Sequence, residues 1–323
     1  MKKVYYFLGH EQFHPEKLVK DAVKAEKSGF DGVFVSEHFN PWVADAGASG
    51  FAFSTLGAIA NATEKIELMT GVVTPLFRFH PAVIAQASAT IDRLSSGRFY
   101  LGIGTGERIN EVPLGYEFPD YTERSERMRE AIDIIRSLLD GKKISYKGKF
   151  YKTEKTKLYS PPIKRIPIFM ASGGPKSAKL AAEKSDGLII SVKDIGTALE
   201  KIIEPAKKIN DQLKIISTRW TVYSKSEDEA IKALKPWRGL RAPGRDKAMD
   251  PEELQSEADN LDRNEILSKY KIVSSPKDYI ETYSPLFKEL DSDTVVIQTT
   301  ALKDAETLIE MLGKEVVPHL KSL

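Results

Sequence analysis

The sequence contains no cysteine and few histidines. Without cysteine, the chain forms no disulfide bonds, no thiol nucleophile and no cysteine-ligated metal or iron–sulfur centre. The histidines show neither the H-E-x-x-H nor the H-x-x-E-H spacing of zinc enzymes, so we predict no metal site. They are His10, His14, His38, His80 and His319. Catalysis must therefore rely on histidine, on carboxylates or on an organic cofactor.

Long apolar runs and an excess of one charge are also missing. No segment approaches the roughly twenty apolar residues of a membrane-spanning helix, and the apolar run at the N-terminus is too short for a secretory signal peptide. The 48 basic and 46 acidic residues are interspersed and leave a net charge of only +2, which argues against a cationic surface for nucleic acid. We therefore expect a cytoplasmic protein that binds neither membranes nor nucleic acid.

The sequence does contain an eightfold alternation of apolar, β-rich runs with amphipathic helical patterns. The runs are "VYYFLG", "GVFVS", "IELMTGVV", "FYLGIG", "IPIFMAS", "GLIIS", "IISTRWTVY" and "DTVVIQTT". Helices are predicted at 15–28, 54–63, 81–95, 122–139, 175–184, 195–213, 226–234 and 303–312. Eight β–α units in 323 residues predict an α/β fold, a (β/α)8 TIM barrel that spans 1–323 as a single domain. A doubly wound open sheet is the alternative, because strand runs alone do not show closure.

Three segments are insertions that a minimal (β/α)8 barrel does not need; they lie at 37–53, 105–121 and 235–263. A small hairpin is expected at 144–151. The first two segments follow strands two and four directly, so they lie on the carboxyl-end face, where barrel enzymes collect their catalytic groups. The stretch "VSEHFNPW" opens the first segment and places Glu37, His38 and Trp42 on that face. We therefore expect this acid, base and indole to face a ligand.

Two glycine motifs stand at strand ends. "GTGE" at 104–107 lacks the G-x-G-x-x-G spacing of NAD-binding folds, so we reject a Rossmann-type NAD site. "SGGP" at 172–175 opens a helix, whose free N–H groups can hold a phosphate. Such a glycine pair is most often only a turn, and both interpretations stay open from the residues alone.

Five stretches together resemble the luciferase-like (bacterial luciferase superfamily) barrel family: "EQF", "SEHFNPW", "GVVTPLFRFHPAVIAQASAT", "GRFYLGIGTGERINEVPLGYEFP" and "ASGGPKSAKLAAEKSDGLI". They are most similar to its branch of glucose-6-phosphate dehydrogenases that use coenzyme F420, a 5-deazaflavin. The resemblance covers nearly the whole chain, is strongest over 4–193 and is weaker over 235–270. It implies a homodimer that transfers a hydride from the carbinol carbon of a sugar, sugar phosphate or secondary alcohol to F420.

The resemblance also implies roles for individual residues. Cofactor-binding positions are Glu37, Gly71, Val72, Thr74, Thr105, Asn110, Gly173, Gly174, Lys176 and Ser177, with Lys176 and Ser177 at the cofactor phosphate. A cis peptide bond between Gly71 and Val72 is expected to form a bulge behind the ring. His38 falls on the catalytic base and Trp42 on the aromatic residue beside it. Glu107 falls on an acid near the ring nitrogen, and Glu11 is able to exchange roles with it.

For the proton chemistry we expect a neutral His38 imidazole with a pKa near the working pH. Trp42 is expected to stabilise charge on the substrate oxygen through its indole N–H. We expect burial to keep Glu107 protonated, so that it can donate a proton.

The substrate end departs from the family pattern. The positions that contact a sugar phosphate align with Ile190, Lys193, Arg245 and Tyr270, so only two cations remain and recognition of glucose 6-phosphate is weakened. We keep Lys193, Arg245 and Tyr270 as substrate-binding candidates. The basic stretch at 238–247, "RGLRAPGRDK", is either a rebuilt anion site or a solvated loop.

Three other functions remain open on the same barrel. One is a reductase that resembles the F420-dependent methylene-tetrahydromethanopterin reductases, and another is an FMN-dependent luciferase-like monooxygenase. The third is a non-catalytic flavin-binding barrel, against which the base at His38 argues, because a protein that only binds a flavin needs no base beside the ring.

Overall fold

The computed structural model describes residues 2–302 and 305–323, and in that part of the chain eight parallel strands close into a barrel. The strands are β1 (Lys3–Leu8), β2 (Gly32–Val35), β3 (Glu67–Thr70), β4 (Phe99–Ile103), β5 (Ile144–Lys147), β6 (Lys152–Thr156), β7 (Ile168–Ala171), β8 (Gly187–Ser191), β9 (Lys214–Tyr223), β10 (Lys271–Val273) and β11 (Thr294–Ala301). The ring runs β1-β2-β3-β4-β7-β8-β9-β11 and returns to β1, which pairs with β11. The (β/α)8 barrel is therefore confirmed and the open sheet is excluded.

Helices pack on the outside of the barrel and in the loops at its carboxyl end. They are α1 (Pro15–Lys27), α2 (Ala52–Ala62), α3 (Pro81–Leu94), α4 (Arg108–Glu111), α5 (Tyr121–Leu139), α6 (Pro175–Lys184), α7 (Ile195–Ala198), α8 (Glu204–Lys207), α9 (Glu227–Ala233), α10 (Pro251–Asp259), α11 (Arg263–Leu267), α12 (Pro276–Lys288), α13 (Ala305–Met311) and α14 (Val317–Lys321). Short 3-10 segments lie at Val112–Leu114 and Lys235–Arg241, and π-helical turns at Leu199–Ile203 and Leu312–Val316. Several helices begin with proline, which suits a first turn whose N–H groups have no partner within the helix.

Two apolar clusters hold the barrel together. Alternate residues of a strand point to opposite faces, so Val4 and Leu8 of β1 pack under the helices while Tyr5 and Phe7 fill the barrel interior. The interior is therefore a packed core, and a ligand can bind only at its ends. Among the described residues, no helix is both long and apolar enough to cross a membrane.

The segment after β9 differs from the prediction. The predicted helix 226–234 corresponds to α9, but Ala230 and Ala233 pack into the interior cluster at the carboxyl end of the barrel. The helix that covers β9 and β11 is α12, which the sequence analysis missed. Its apolar residues Tyr279, Tyr283 and Leu286 have helical spacing and are fully buried, so the periodic signal was present.

The other helix predictions agree with the structure to within a few residues, except at 195–213. That helix ends early, because α7 and α8 are joined by a π-turn and α8 stops at Lys207. The predicted hairpin is the β5–β6 pair and extends to Thr156. The predicted start of the last helix, Lys303, lies outside the described residues.

The Arg98 guanidinium generates a prediction about stability. It donates to the backbone oxygens of Ala60 (3.1 Å), Thr63 (2.9 Å), Ile66 (2.6 Å) and Ser95 (2.7 Å), and so joins the ends of α2 and α3 to the start of β3. Because hydrogen bonds from a charged donor are strong and these carbonyl groups are partly buried, Arg98→Ala should lower the free energy of unfolding by about 3 kcal/mol. Denaturant unfolding measures this change.

The matched control is Arg93→Ala, because Arg93 is exposed and its guanidinium donates to the Pro161 backbone oxygen at 3.0 Å. We expect a change of less than about 0.5 kcal/mol for this surface substitution. Equal destabilisation by both variants would contradict the role given to Arg98.

Candidate active site

The carboxyl end of the barrel brings together charged side chains from four separate loops. Glu11 follows β1, His38 follows β2, Glu107 follows β4, and Arg245 comes from the insertion between β9 and β10. His38 Nε2 lies 3.2 Å from Glu107 Oε2 and 3.7 Å from Glu11 Oε1, and Arg245 Nη2 lies 2.7 Å from Glu107 Oε1. The structure therefore places the sequence-predicted His38, Glu107 and Glu11 in one cluster.

The electrostatic surroundings of His38 favour its charged form. Burial lowers the pKa of His38, but the carboxylates of Glu11 and Glu107 outweigh that effect and raise the pKa to about 9. The expectation of a neutral imidazole with a pKa near the working pH is therefore wrong for the protein without ligand. Two negative neighbours, which the sequence could not place at these distances, are the physical reason.

The hydrogen bonds of His38 determine which ring nitrogen faces the cluster. Nδ1 lies 3.1 Å from the Asn40 backbone oxygen, which only accepts hydrogen bonds, and 3.3 Å from the Asn110 amide nitrogen, which only donates them. Asn110 fixes this loop, because its Oδ1 accepts from the backbone N–H groups of Phe39 (2.9 Å) and Asn40 (3.1 Å). Nε2 is the ring nitrogen that faces the carboxylates of Glu107 and Glu11.

Glu107 is ionised rather than protonated. Burial raises its pKa, but the hydrogen bond and charge of His38, together with Arg245, lower the pKa to about 2. The expectation that burial would keep Glu107 protonated is therefore wrong for the protein without ligand. Glu11 is held separately, since its Oε2 accepts a hydrogen bond from the Ser36 hydroxyl.

Trp42 covers the cluster. Its ring centroid lies 4.7 Å from that of His38, and the Arg245 guanidinium lies 5.3 Å from its ring. The indole is only 4% exposed. At Gly239 in the insertion, an added Cβ would lie 1.9 Å from the Trp42 backbone oxygen, so glycine is needed for the insertion to pack this closely on the Trp42 loop.

A second buried ionic group lies beside the cluster, and the sequence analysis did not find it. The Arg78 guanidinium contacts Glu37 Oε2, and its Nη1 lies 3.3 Å from Glu111 Oε1. The side chains of all three residues are at most 6% exposed. Burial raises the pKa of Glu111, partly offset by the Arg78 charge. An arginine among aromatic residues in "FRFHP" was the available signal.

The peptide bond between Gly71 and Val72 is cis, as the resemblance predicted. An added Cβ at Gly71 would lie 2.2 Å from the Phe34 ring, and one at Gly104 would lie 2.8 Å from Val72 Cγ2. Both glycines therefore allow close packing around the bulge at the end of β3. Thr74 is buried beyond the bulge and lies next to Gly106.

The predicted phosphate site lies at the start of α6. Gly173 and Gly174 face open space, because an added Cβ at either would meet no atom within 4 Å. The Ser177 hydroxyl donates to the Gly174 oxygen (2.9 Å) and accepts from the Gly174 N–H (3.2 Å). Lys176 is exposed at the same turn.

Arg124 of α5 is a further cation near these loops. It donates to the backbone oxygens of Thr105 (3.4 Å) and Gly106 (3.3 Å). Its Nε is a buried donor for which the described part of the chain offers no hydrogen-bond partner, and the sequence analysis missed this residue. Among the described residues, no group of three histidine, aspartate or glutamate side chains is arranged to hold a metal ion.

The substrate candidates lie in different places. Arg245 belongs to the His38 cluster, and Lys193 is exposed just beyond the end of β8. Tyr270 is 8% exposed and its hydroxyl donates to the Trp237 backbone oxygen (3.2 Å). Ile190 packs in the apolar cluster under the helices. The structure therefore brings only Arg245 of these four into contact with the His38 cluster.

Comparison with known proteins agrees with this architecture. The family model described as luciferase-like monooxygenase matches residues 3–284. An F420-dependent glucose-6-phosphate dehydrogenase of Nakamurella multipartita is 32% identical over 328 residues, which cover 98% of this chain and 96% of that protein. An F420-dependent hydroxymycolic acid dehydrogenase of Mycobacterium tuberculosis is 35% identical over 318 residues, which cover 97% of this chain and 87% of that protein.

A solved structure is similar over the full length. An F420-dependent secondary alcohol dehydrogenase in complex with an F420–acetone adduct matches with a TM-score of 0.91 and 29% identity, and the match covers 99% of both chains. The match to the family model, the full-length relatives and the closed barrel agree with one another. The chain belongs to the luciferase-like monooxygenase family.

Proposed function

We propose that this chain oxidises the carbinol carbon of a sugar, a sugar phosphate or a secondary alcohol and passes the hydride to coenzyme F420. The chain is an F420-dependent oxidoreductase, in agreement with relatives that are named F420-dependent dehydrogenases. The observation that carries the proposal is the position of His38, whose Nε2 faces two carboxylates beneath Trp42 at the carboxyl end of the barrel. We also propose that the whole chain, residues 1–323, forms one barrel domain.

The residues present fit a phosphorylated deazaflavin. The open space at Gly173 and Gly174, the start of α6 and the ammonium of Lys176 suit a phosphate, with Ser177 in the same turn. Val72 at the cis bulge presents an apolar surface for a planar ring. The remaining cofactor positions are Glu37, Gly71, Thr74, Thr105 and Asn110. When bound, the oxidised deazaflavin supplies the hydride acceptor.

His38 handles the hydroxyl proton in this proposal. An alcohol that loses a hydride must also lose its hydroxyl proton, and Nε2 is able to accept that proton only when the imidazole is neutral. Glu107 and Glu11 then stabilise the imidazolium that forms. Trp42 excludes water from this side of the cluster, and its indole N–H is the candidate donor to the substrate oxygen.

The first test of the proposed function compares cofactors and donors. F420 should bind at least about tenfold more tightly than FMN, because the relatives of this chain are named F420-dependent dehydrogenases. Sugars, sugar phosphates and secondary alcohols should then be screened for bleaching of oxidised F420. Tighter binding of FMN would favour a monooxygenase, and reaction only with a reduced pterin would favour a reductase. Tight F420 binding without turnover of any donor would favour a non-catalytic binder.

The second test concerns the protonation of His38. Because oxidation needs neutral imidazole and the pKa is raised to about 9, kcat/KM for F420 should rise with pH up to about 9 and then level off. In the reverse direction the imidazolium is the proton donor, so kcat/KM for reduced F420 should fall above about pH 9. His38→Ala should reduce kcat by at least about a hundredfold. It should also abolish the pH dependence of kcat/KM in both directions, while the Kd for F420 is retained.

His14→Ala is the matched control. His14 is exposed at the start of α1 and makes no capping hydrogen bond, so kcat and the pH profile should stay unchanged. Near-normal turnover of His38→Ala with retained F420 binding would remove His38 from the mechanism.

We further propose that the protein is a homodimer through the surface of α2 and α3. The resemblance implies a homodimer, and this surface exposes apolar side chains, Phe51 and Val83, at 46% and 51%. Phe51 contacts the rings of Phe53 and Phe79 at 5.8 and 5.7 Å, so the apolar surface is continuous. A second copy that presents the same surface would cover it by twofold symmetry.

Sedimentation equilibrium tests the dimer. The wild type should have twice the mass of the chain, and Val83→Glu should shift the equilibrium toward monomer, because a buried unpaired carboxylate opposes association. Ile209→Glu is the control, since Ile209 is also exposed, at 47%, but lies after α8. A monomeric wild type, or equal dissociation of both variants, would contradict the proposal.

A further inference from the structure

Glu11 is the carboxylate of the His38 cluster whose surroundings differ most from those of Glu107. Glu107 is paired with Arg245, whereas in the described part of the chain no lysine or arginine forms an ion pair with Glu11. Glu11 is only 3% exposed. Its Oε2 accepts a hydrogen bond from the Ser36 hydroxyl at 2.5 Å, and its Oε1 lies 3.7 Å from His38 Nε2. Because a buried carboxylate is stable only with partners, Glu11 relies on one hydroxyl and one imidazole.

The Ser36 hydroxyl acts as a donor to Glu11. Ser36 is buried, and its oxygen accepts a hydrogen bond from the His10 backbone N–H at 2.9 Å. Its single proton has two possible acceptors, Glu11 Oε2 at 2.5 Å and the Leu8 backbone oxygen at 3.5 Å. A carboxylate at short distance is a much stronger acceptor than a carbonyl group at the outer limit of hydrogen bonding. The proton therefore points to Glu11.

Ser36 is itself fixed from two sides. Its backbone N–H donates to the Leu8 oxygen at 3.1 Å, and its backbone oxygen accepts from His10 Nδ1 at 2.7 Å. Burial lowers the pKa of His10, so this ring is neutral, and Nδ1 carries its proton because a backbone oxygen only accepts. His10 Nε2 lies 2.8 Å from the Thr55 hydroxyl of α2. The ends of β1 and β2 and the α2 helix together hold the Ser36 hydroxyl in place.

We propose that Ser36 is a positioning residue, whose hydroxyl keeps the Glu11 carboxylate aimed at His38 Nε2 and so stabilises the imidazolium of the candidate base. Ser36 touches neither the substrate nor the reacting atoms in this proposal and acts only through Glu11. The inference rests on the proposed function for the role of His38 as a base, while the contact itself is independent of it.

The other charged groups around His38 each share a cation. Glu107 pairs with Arg245, and Arg78 pairs with two buried carboxylates that lie near His38, those of Glu37 and Glu111. Burial lowers the pKa of His38, and the Glu11 charge is the largest of the influences that raise it. A change in the position or charge of Glu11 should therefore be visible in the titration of His38.

The first measurement is an NMR titration of the His38 ring in the protein without cofactor, with the signal assigned by its loss in His38→Ala. Ser36→Ala removes the donor to Glu11 Oε2 and disfavours a charged carboxylate at this position, so the pKa of His38 should fall by about 1 from about 9. Thr55→Val is the matched control. It removes another buried hydroxyl of the same network that contacts neither Glu11 nor His38, and the pKa should change by less than about 0.3.

The second measurement separates an action through Glu11 from a general structural effect. Glu11→Gln removes the charge but keeps the shape, so the pKa of His38 should fall at least as far as in Ser36→Ala. Adding Ser36→Ala to Glu11→Gln should cause no further fall, because two changes that act through one contact are not additive. With F420 and a donor substrate, the rise of kcat/KM with pH should also level off about 1 pH unit lower in Ser36→Ala than in the wild type.

These results decide the proposal. An unchanged or raised pKa of His38 in Ser36→Ala would overturn it, because the hydroxyl would then not hold Glu11 toward His38. An equal fall in Thr55→Val, or a further fall in the double variant, would overturn it as well. If Ser36→Ala does not fold, an unchanged pKa in Glu11→Gln has the same consequence. Absence of F420 binding would instead contradict the proposed function, and the NMR titrations would still decide this inference.

Discussion

A partly buried imidazolium between two carboxylates is the arrangement on which the rest of the site depends. Charges removed from water are tolerated only when each has a partner. Here Glu11 accepts from Ser36, Glu107 is shared between His38 and Arg245, and His38 Nδ1 donates to a backbone oxygen. These partners come from four loops, and the closed barrel is what brings the ends of those loops to one place.

The second ionic group, Glu37–Arg78–Glu111, supports the first. Arg78 joins the loops after β2, β3 and β4, and Asn110, next to Glu111, holds the backbone of the His38 loop. One guanidinium serves two buried carboxylates, and burial raises the pKa of Glu111. Glu37, which the resemblance places at the cofactor, is therefore fixed by Arg78 before any ligand binds. Such pre-orientation reduces the ordering required on binding.

The barrel predicted from the sequence is confirmed, and the residues of the His38 cluster were all named from the sequence, but their electrostatics were not predicted. The strand runs and proline-initiated helices such as α6 are local signals, and the cis bond at Gly71 came from the family resemblance rather than from the residues themselves. The Arg245–Glu107 pair joins residues 138 positions apart, and a pattern of nearby residues carries no signal for it. The protonation of His38 and Glu107 depends on distances of a few ångströms, which is why both expectations were wrong. At α12 the periodic signal existed and was missed.

The cofactor side and the substrate side of the site are built from different parts of the chain. The positions proposed for F420 lie at strand ends or at the start of a helix, where the barrel itself holds the backbone. The substrate side is covered by the insertion between β9 and β10. This insertion contains Arg245, and the resemblance to the family is weakest there. A change in the insertion can therefore alter the charge of the pocket without disturbing the cofactor positions. Relatives that share this barrel and F420 act on donors as different as glucose 6-phosphate and a secondary alcohol, according to their names. That diversity is expected if the strand ends supply the redox chemistry and the insertion selects the donor.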